Sequence, residues 1–275
     1  MQSNDTFNYA NQTQVVNMNT VLLFASPVIN VLVTGIFAGM ITRQYLRRRR
    51  VYQLYWSIAL LMAFAATIAY VVMMLAQPTS SLGILCFRIY YTLGAALMPS
   101  WLGLGSIALL GKPMLTRSCL MFLSFLSVIA TAFTFDGSID MQKLSQIAGT
   151  PGTGILHPGP WLVTTILLNT LGVVAIAGVA LYSGLKLVRK QSQVGGLQSL
   201  NLLWANVLIM AGALIDAAAG TLARVLGLQS TFWIIMALGW IVFFAGVLLT
   251  GRRSKKSQAA APPADTSPQS QPIAP

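Results

Sequence analysis

Glutamate is missing from this sequence, histidine occurs once and cysteine occurs twice. Without glutamate there is no H-E-x-x-H zinc motif, and the few aspartates are too scattered to form the carboxylate pair of a glycosidase. The single histidine, His157, cannot supply the two axial ligands of a membrane haem. Cys86 and Cys119 fall near opposite ends of neighbouring apolar segments, too far apart for a disulfide. We therefore expect no catalytic residues, no metal, no cofactor and no enzymatic activity.

Charged residues are also scarce, at 8% of the 275 residues, whereas soluble domains carry about 25%. Hydrophobic residues make up 56% of the chain. A membrane-spanning helix needs about 20 mostly apolar residues, and seven stretches meet that requirement. We therefore predict an all-α transmembrane protein, a seven-helix bundle over residues 20–250, with spans at 20–41, 51–76, 82–110, 118–135, 161–185, 200–226 and 231–250.

The basic residues are placed unevenly along the chain. All but three of the seventeen (Arg88, Lys143 and Arg224) cluster beside the ends of spans one, three, five and seven. The opposite connections carry only Lys143, so the positive-inside rule predicts an outside N-terminus and an inside C-terminus in the cell membrane. We expect the clusters to bind anionic lipid headgroups. We expect no nucleic-acid partner, because the clusters are not interleaved with aromatic residues.

The predicted connections differ in character. Residues 1–19 are polar and lack lysine and arginine, so we predict an extracytoplasmic tail. Residues 251–275 are predicted to form a disordered cytoplasmic tail, because a segment rich in Ala, Pro, Ser and Gln has little apolar area to offset the entropy of ordering. The longest connection, 136–160, is rich in proline and glycine and predicts a loop, with a possible short helix within 140–148.

Asp216 is the only carboxylate inside a predicted span. An acid at membrane depth costs roughly 2.5–3.5 kcal/mol on insertion scales, so it usually has a partner. At 1.5 Å per residue, Arg88 lies roughly 9 Å and Asp216 roughly 15 Å below the same end of the bundle. These depths predict an Arg88–Asp216 ion pair, with Arg224 as the rival partner. The candidate buried polar site collects the strongly polar side chains of this region and of the neighbouring spans: Arg88, Asp216, Arg224, Tyr91, Asn169 and Asn206.

Such a pair has two possible roles, and the sequence does not choose between them. A buried ion pair can fix helix register without a further function. An intramembrane charge can equally form part of a ligand or proton site.

Prolines and glycines predict how the spans are shaped and packed. Pro27 and Pro99 predict kinks in spans one and three, and each kink frees a carbonyl that must find a polar partner or line a cavity. Small residues let helix backbones approach in lipid. We therefore expect close helix contacts at Gly35, Gly39, Gly103, Gly105, Gly172, Gly178, Gly212 and Gly220.

Two non-enzymatic classes of function remain open. A retinal pigment is excluded because residues 231–250 contain no lysine for a Schiff base. The first class is a receptor-like or accessory protein with a small-molecule pocket under the 136–160 loop. The alternative is a small-molecule or ion transporter that uses the buried Arg/Asp pair. The odd number of spans argues mildly against a duplicated transporter fold, and the proline-broken spans argue mildly for a pathway.

One segment carries a resemblance to other proteins. Residues 87–95, FRIYYTLGA, are followed by Pro99, the step Leu102-Gly103-Leu104-Gly105 and the pair Leu109-Leu110. This pattern resembles a segment of uncharacterised bacterial seven-helix integral membrane proteins. The resemblance implies a bacterial inner-membrane protein and makes Arg88 part of the family pattern. It implies no known activity or site.

Overall fold

The computed structural model describes residues 3–191, 197–227, 229 and 231–251. Within these residues, seven helices are long and apolar enough to cross a membrane. This confirms the predicted all-helical, seven-span architecture and indicates a multi-pass membrane protein. The helical elements are α1 (Ser3–Arg48), α2 (Val51–Leu75), α3 (Ser81–Tyr90), a π-helical segment (Tyr91–Leu97), α4 (Met98–Ala108), α5 (Pro113–Asp136), α6 (Met141–Ser145), α7 (Pro160–Gln191), α8 (Leu197–Val225) and α9 (Phe232–Gly251).

The observed helix ends differ from the predicted spans by a few residues. The fourth span begins at Pro113 and not at residue 118, because a proline fits the first turn of a helix, where its missing N–H has no intrahelical partner. The first span is part of a longer helix that also includes the polar residues 3–19, which we predicted only as a tail. The predicted tail at 251–275 lies outside the described residues, apart from Gly251 at the end of α9.

Six of the seven spans form a closed ring. The contacts run from α1 to α2, then to the third span (α3, the π-helical segment and α4), α7, α8 and α9, and back to α1. Asn30 of α1 closes the ring by donating a hydrogen bond of 2.8 Å to the carbonyl of Trp233 in α9. The remaining span, α5, packs outside this ring against α4, α7 and the π-helical segment. Its outward side chains, including Met114, Met121 and Val128, are exposed, as expected for a lipid-facing helix.

The bundle has two distinct ends. We call the end formed by residues 76–80, 137–159, 226–227, 229 and 231 the loop end. The opposite end, formed by residues 49–50 and 109–112 and by the last turns of α7 and α9, we call the basic end, because Arg47–Arg50 and Lys112 lie there. Two buried clusters fill the ring between these ends. One, toward the basic end, contains Phe37, Trp56, Trp240 and Phe243, and the other, toward the loop end, contains Tyr70, Phe87, Tyr90, Trp161 and Trp233.

The 136–160 connection folds as a lid over the loop end. A bridge between Ile139 and Leu156 ties its two ends together, and the N–H of Asp140 donates to the carbonyl of Ile155 at 2.8 Å. The short helix predicted within 140–148 is present as α6. Four apolar side chains of the lid point into the bundle and are almost completely buried: Leu144, Ile147, Ile155 and Leu156.

A glycine with unusual backbone geometry lets the lid pack closely. Gly152 has φ of +72°, a conformation that side-chain-bearing residues rarely adopt. A Cβ at this position would also lie 2.9 Å from Ile147 Cδ1 and 3.1 Å from a ring carbon of Phe87. The lid backbone therefore rests directly on the aromatic side chains of α3.

Candidate buried polar site

Arg88 caps the end of a neighbouring helix and not a carboxylate. Its Nη1 donates to the carbonyl of Thr134 and its Nη2 to the carbonyl of Gly137, each at 3.1 Å. These acceptors lie in and just beyond the last turn of α5, where carbonyls have no intrahelical N–H partner. The guanidinium also lies 5.9 Å from the ring centre of Phe135. Arg88 therefore attaches the peripheral helix α5 to the ring, and the predicted Arg88–Asp216 ion pair is not formed.

Asp216 lies at a close contact between α8 and α9. Its carboxylate rests against the backbone of Gly239 in α9, where an added Cβ would overlap Oδ1. Within the described residues, Oδ1 is buried and has no hydrogen-bond partner. The residue lies about 14 Å below the end of α8 at Val225, by helical rise. Gly212, one turn earlier in α8, also faces α9, where it lies against Phe243, whereas Gly220 has open space around it. Neither predicted partner reaches Asp216.

Arg224, which was predicted as the alternative ion-pair partner of Asp216, lies beside a different residue. Its guanidinium lies near the hydroxyl of Tyr91, the first residue of the π-helical segment. Tyr91 is buried and packs edge-on against Trp161, with ring centres 5.2 Å apart. Arg224 thus connects α8 to the third span near the loop end. The structure brings Arg224 and Tyr91 together, but separates both from Asp216.

Asn169 donates a hydrogen bond to the backbone carbonyl that the break in the third span leaves without a helical partner. Pro99 has no N–H, so the carbonyl four residues earlier, Ala95, loses its helical partner. The backbone widens into the π-helical segment before the proline. Asn169 Nδ2 of α7 donates to the freed carbonyl of Ala95 at 2.7 Å. The kink predicted at Pro99 therefore takes the form of a break in the helix, and the freed carbonyl has a polar partner. Pro27 lies inside α1, and this helix continues on both sides of it.

Asn206 lies apart from the other members of the predicted site. It lines a shallow groove of about 140 Å³ between α7 and α8, toward the basic end. The other lining residues are apolar or small: Ala180, Leu181, Gly184, Leu185, Val207 and Met210. The six predicted site residues are thus distributed over five places in the molecule, and they do not form one cavity.

Sequence reasoning missed the polar contacts beneath the lid. The Tyr70 hydroxyl lies 3.0 Å from the carbonyl of Ile147 and 2.8 Å from that of Thr150. The Tyr90 hydroxyl donates to the carbonyl of Pro151 at 3.1 Å. Tyrosines have an apolar ring and a polar tip, so their position near a predicted loop was the available signal. These two hydroxyls hold the lid on the aromatic layer.

Sequence reasoning also missed a cluster of three buried polar side chains toward the basic end. Gln53, Trp56 and Ser57 of α2 are buried, and Gln53 Oε1, Trp56 Nε1 and Ser57 Oγ have no hydrogen-bond partner among the described residues. Their spacing of three and four residues puts them on adjoining faces of the first turns of α2. Gln53 Nε2 does make one weak contact, at 3.4 Å, with Gln44 Oε1 of α1.

The remaining chemically interesting residues have ordinary settings. Cys86 and Cys119 are free thiols, in agreement with the predicted absence of a disulfide between them. His157 is an exposed lid residue whose carbonyl accepts a hydrogen bond of 2.7 Å from Trp161 Nε1. The described part of the chain contains no group of three or more His, Cys, Asp or Glu residues that could hold a metal ion.

Comparison with known proteins adds no relative. No family model, no curated protein and no solved structure matches the chain.

Proposed function

We propose that this protein is a non-enzymatic, receptor-like or accessory protein of the bacterial cytoplasmic membrane, with its N-terminus outside and its C-terminus inside. In this orientation the loop end faces outward and the basic end faces the cytoplasm, as the distribution of lysine and arginine predicts. The lid is then the part of the molecule that meets small molecules or partner proteins arriving from outside.

The lid carries this proposal. It is a folded element with its own helix and backbone bridge, and it is held by tyrosine hydroxyls and not by a covalent link. Beneath it lies a layer of aromatic rings, with Tyr70 and Trp233 centred 4.5 Å apart and Tyr70 and Tyr90 5.1 Å apart. Aromatic side chains with polar tips are common in small-molecule sites. A ligand that moved the lid would have to replace both these hydrogen bonds and the burial of the apolar lid side chains, while the spans themselves stay in place.

A transporter is the second candidate, and Asp216 is the observation that favours it. A buried carboxylate oxygen without a partner among the described residues is a feature of ion and proton pathways. The proposed Arg/Asp pair is not available to such a pathway, because Arg88 is engaged by the carbonyls of Thr134 and Gly137. A transport mechanism would have to use Asp216 alone.

A flux assay separates the two candidates. The purified protein is reconstituted into liposomes that contain a pH-sensitive dye, and a potassium gradient with valinomycin drives proton entry. A receptor-like or accessory protein should give the same proton flux as protein-free liposomes, and sodium flux measured in parallel should be equally low. A flux that is present in the native protein and lost in Asp216→Asn would replace this proposal with the transporter.

The orientation has its own test. A reporter that is active only in the cytoplasm, fused after Lys256, should be active, and the same reporter fused before residue 20 should be silent. The reverse pattern would place the lid inside the cell and remove the basis for an outward-facing receptor.

A further inference from the structure

We propose that the contact between α1 and α2 contains a binding site for one water molecule, held by Thr42, Gln53 and Ser57. Each of these residues has a buried oxygen atom without a hydrogen-bond partner among the described residues: Thr42 Oγ1, Gln53 Oε1 and Ser57 Oγ. Buried polar atoms of native proteins almost always have a partner, which is either another protein group or an ordered water. The site depends only on how two helices pack, so it does not rest on the receptor-like role.

The packing of α1 on α2 puts Thr42 opposite Ser57. A Cβ on Gly35 of α1 would lie 2.8 Å from a ring carbon of Phe64 of α2, so these two residues face each other. Thr42 follows Gly35 by seven residues, and Ser57 precedes Phe64 by seven. Residues seven apart lie on one helix face within about 20°. Because α1 and α2 are antiparallel helices joined by a short turn, the same facing relationship recurs at Thr42 and Ser57, nearer the basic end.

Gln53 brings the third oxygen to the same place. It lies one turn before Ser57 on the same face of α2. Its Nε2 contacts Gln44 Oε1 of α1 at 3.4 Å, which directs the amide toward α1 and leaves Oε1 without a donor. Gln53 and Ser57 are only 2% and 3% exposed. Thr42 and Ser57 are each six residues from the end of their helix, which places them about 9 Å below the helix ends.

The side chains at this level are small enough to leave room for a water. At Gly35, the large ring of Phe64 fills the space between the two helices. At the next facing pair, Thr42 and Ser57 supply two small side chains instead, and their hydroxyl groups do not bond to each other. A buried water typically makes about three hydrogen bonds to polar groups that would otherwise lack a partner. One water here would donate to Gln53 Oε1 and bond to both hydroxyls.

The charges around the site favour water over a monovalent cation. The three oxygen atoms belong to two hydroxyls and an amide, so none of them carries a negative charge. Arg47–Arg50 lie at the same end of the bundle, where they repel a cation. A neutral molecule that both donates and accepts hydrogen bonds suits this mixture of groups.

Thermal unfolding of the full-length protein in detergent tests the site through the sign of a change. Ser57→Ala should lower the midpoint by about 2–4 °C, the shift expected for the loss of one hydrogen bond. The matched control is Ser106→Ala, because the Ser106 hydroxyl is also buried toward the basic end but bonds only to Leu102 of its own helix, at 3.3 Å. Its midpoint should change by less than about 1 °C. A midpoint that is unchanged or raised in Ser57→Ala is the result for a hydroxyl without a partner and would overturn the proposal.

A double-mutant cycle tests whether the two hydroxyls share one water. Thr42→Val keeps the shape of the side chain, and alone it should also lower the midpoint. Either single substitution removes the water, so the second should then cost much less than the first. Additive losses are expected for hydroxyls that act independently, for example by bonding to their own helices, and would overturn the proposal.

The salt dependence of the midpoint separates water from a cation. The midpoint of the native protein should be the same in sodium, potassium and choline chloride at equal concentration. A midpoint that is higher in sodium or potassium chloride, with the difference lost in Ser57→Ala, would replace the water by a bound cation.

Discussion

The contact between α4 and α7 resembles the contact between α8 and α9, but the polar side chain at the first contact has a hydrogen-bond partner and the one at the second does not, among the described residues. In both contacts, glycines let the two helix backbones touch, and one strongly polar side chain lies at the line of contact, which we call the seam. At the α4–α7 contact, Asn169 donates to the carbonyl that Pro99 leaves free. At the α8–α9 contact, Asp216 Oδ1 lies against Gly239 and has no partner within the described residues. A polar residue kept for structure alone usually comes with its partner, so the second seam is the better candidate for function.

Glycine substitutions at the first seam should have the largest effect. A Cβ on Gly172 would overlap the carbonyl group of Pro99, which is backbone and cannot turn aside. Gly172→Val should therefore destabilise the protein by roughly 3 kcal/mol or more, the upper range for overpacking. Thermal unfolding in detergent measures this effect. Gly178→Val, on the same helix with open space, is the control, and equal losses in the two variants would show that helix propensity and not the seam is responsible.

Removing the Asn169 amide should have the next largest effect. Asn169→Leu leaves the Ala95 carbonyl buried without a donor, which costs about 1–3 kcal/mol. The thermal midpoint should fall, and Asn169→Gln should restore part of the loss if its longer amide reaches the carbonyl. Asn206→Leu is the control, because Asn206 lines an open groove and not a helix seam. An unchanged midpoint in Asn169→Leu would mean that the broken span does not depend on this bond.

The corresponding change at the second seam should leave stability nearly unaltered. Asp216→Asn keeps the size of the side chain and removes a carboxylate that has no ion-pair partner among the described residues. We expect a change in unfolding free energy within about 0.5 kcal/mol, or a small gain. A loss as large as that of Asn169→Leu would remove the contrast between the seams and would assign Asp216 a structural partner.

The smallest effect is expected at a carboxylate outside the membrane. Asp140 caps α6 by accepting hydrogen bonds from the N–H groups of Gln142 and Lys143, each at 3.1 Å. The N–H of Lys143 is the main cause that lowers the pKa of Asp140 below its ordinary value. A carboxyl group with a lowered folded-state pKa contributes stability above its unfolded-state pKa and loses it as the pH falls through the folded-state pKa.

The protection factors of lid residues 141–147, which are exchange rates corrected for the intrinsic pH dependence of amide exchange, should therefore be high at neutral pH. They should fall only in acid, below the ordinary titration range of aspartate. Asp140→Asn should remove this acid dependence while the seams between the spans stay intact. A protection factor of the lid that falls instead near neutral pH would assign the opening to another group.

Sequence patterns predicted the parts of this molecule that depend on composition. Hydropathy located seven helices, and Pro99 correctly predicted a freed carbonyl in need of a polar partner. The sequence did not identify Asn169 as that partner, because the pairing depends on how α7 packs against the third span. Hydrophobic periodicity carries no information on that packing. Arg88 shows the same limit. Its acceptors are backbone carbonyls of Thr134 and Gly137, and every residue has a carbonyl, so residue types alone suggested the carboxylate of Asp216 as the partner.

The lid has a consequence for how the chain reaches its final state. It rests on Tyr70 of α2, Tyr90 of α3, Trp161 of α7 and Trp233 of α9, which are far apart in the sequence. The last of these residues is inserted into the membrane well after the lid itself has been made. The lid can therefore close only when the seventh span has joined the ring, so protection of the lid from proteases would report the completion of assembly.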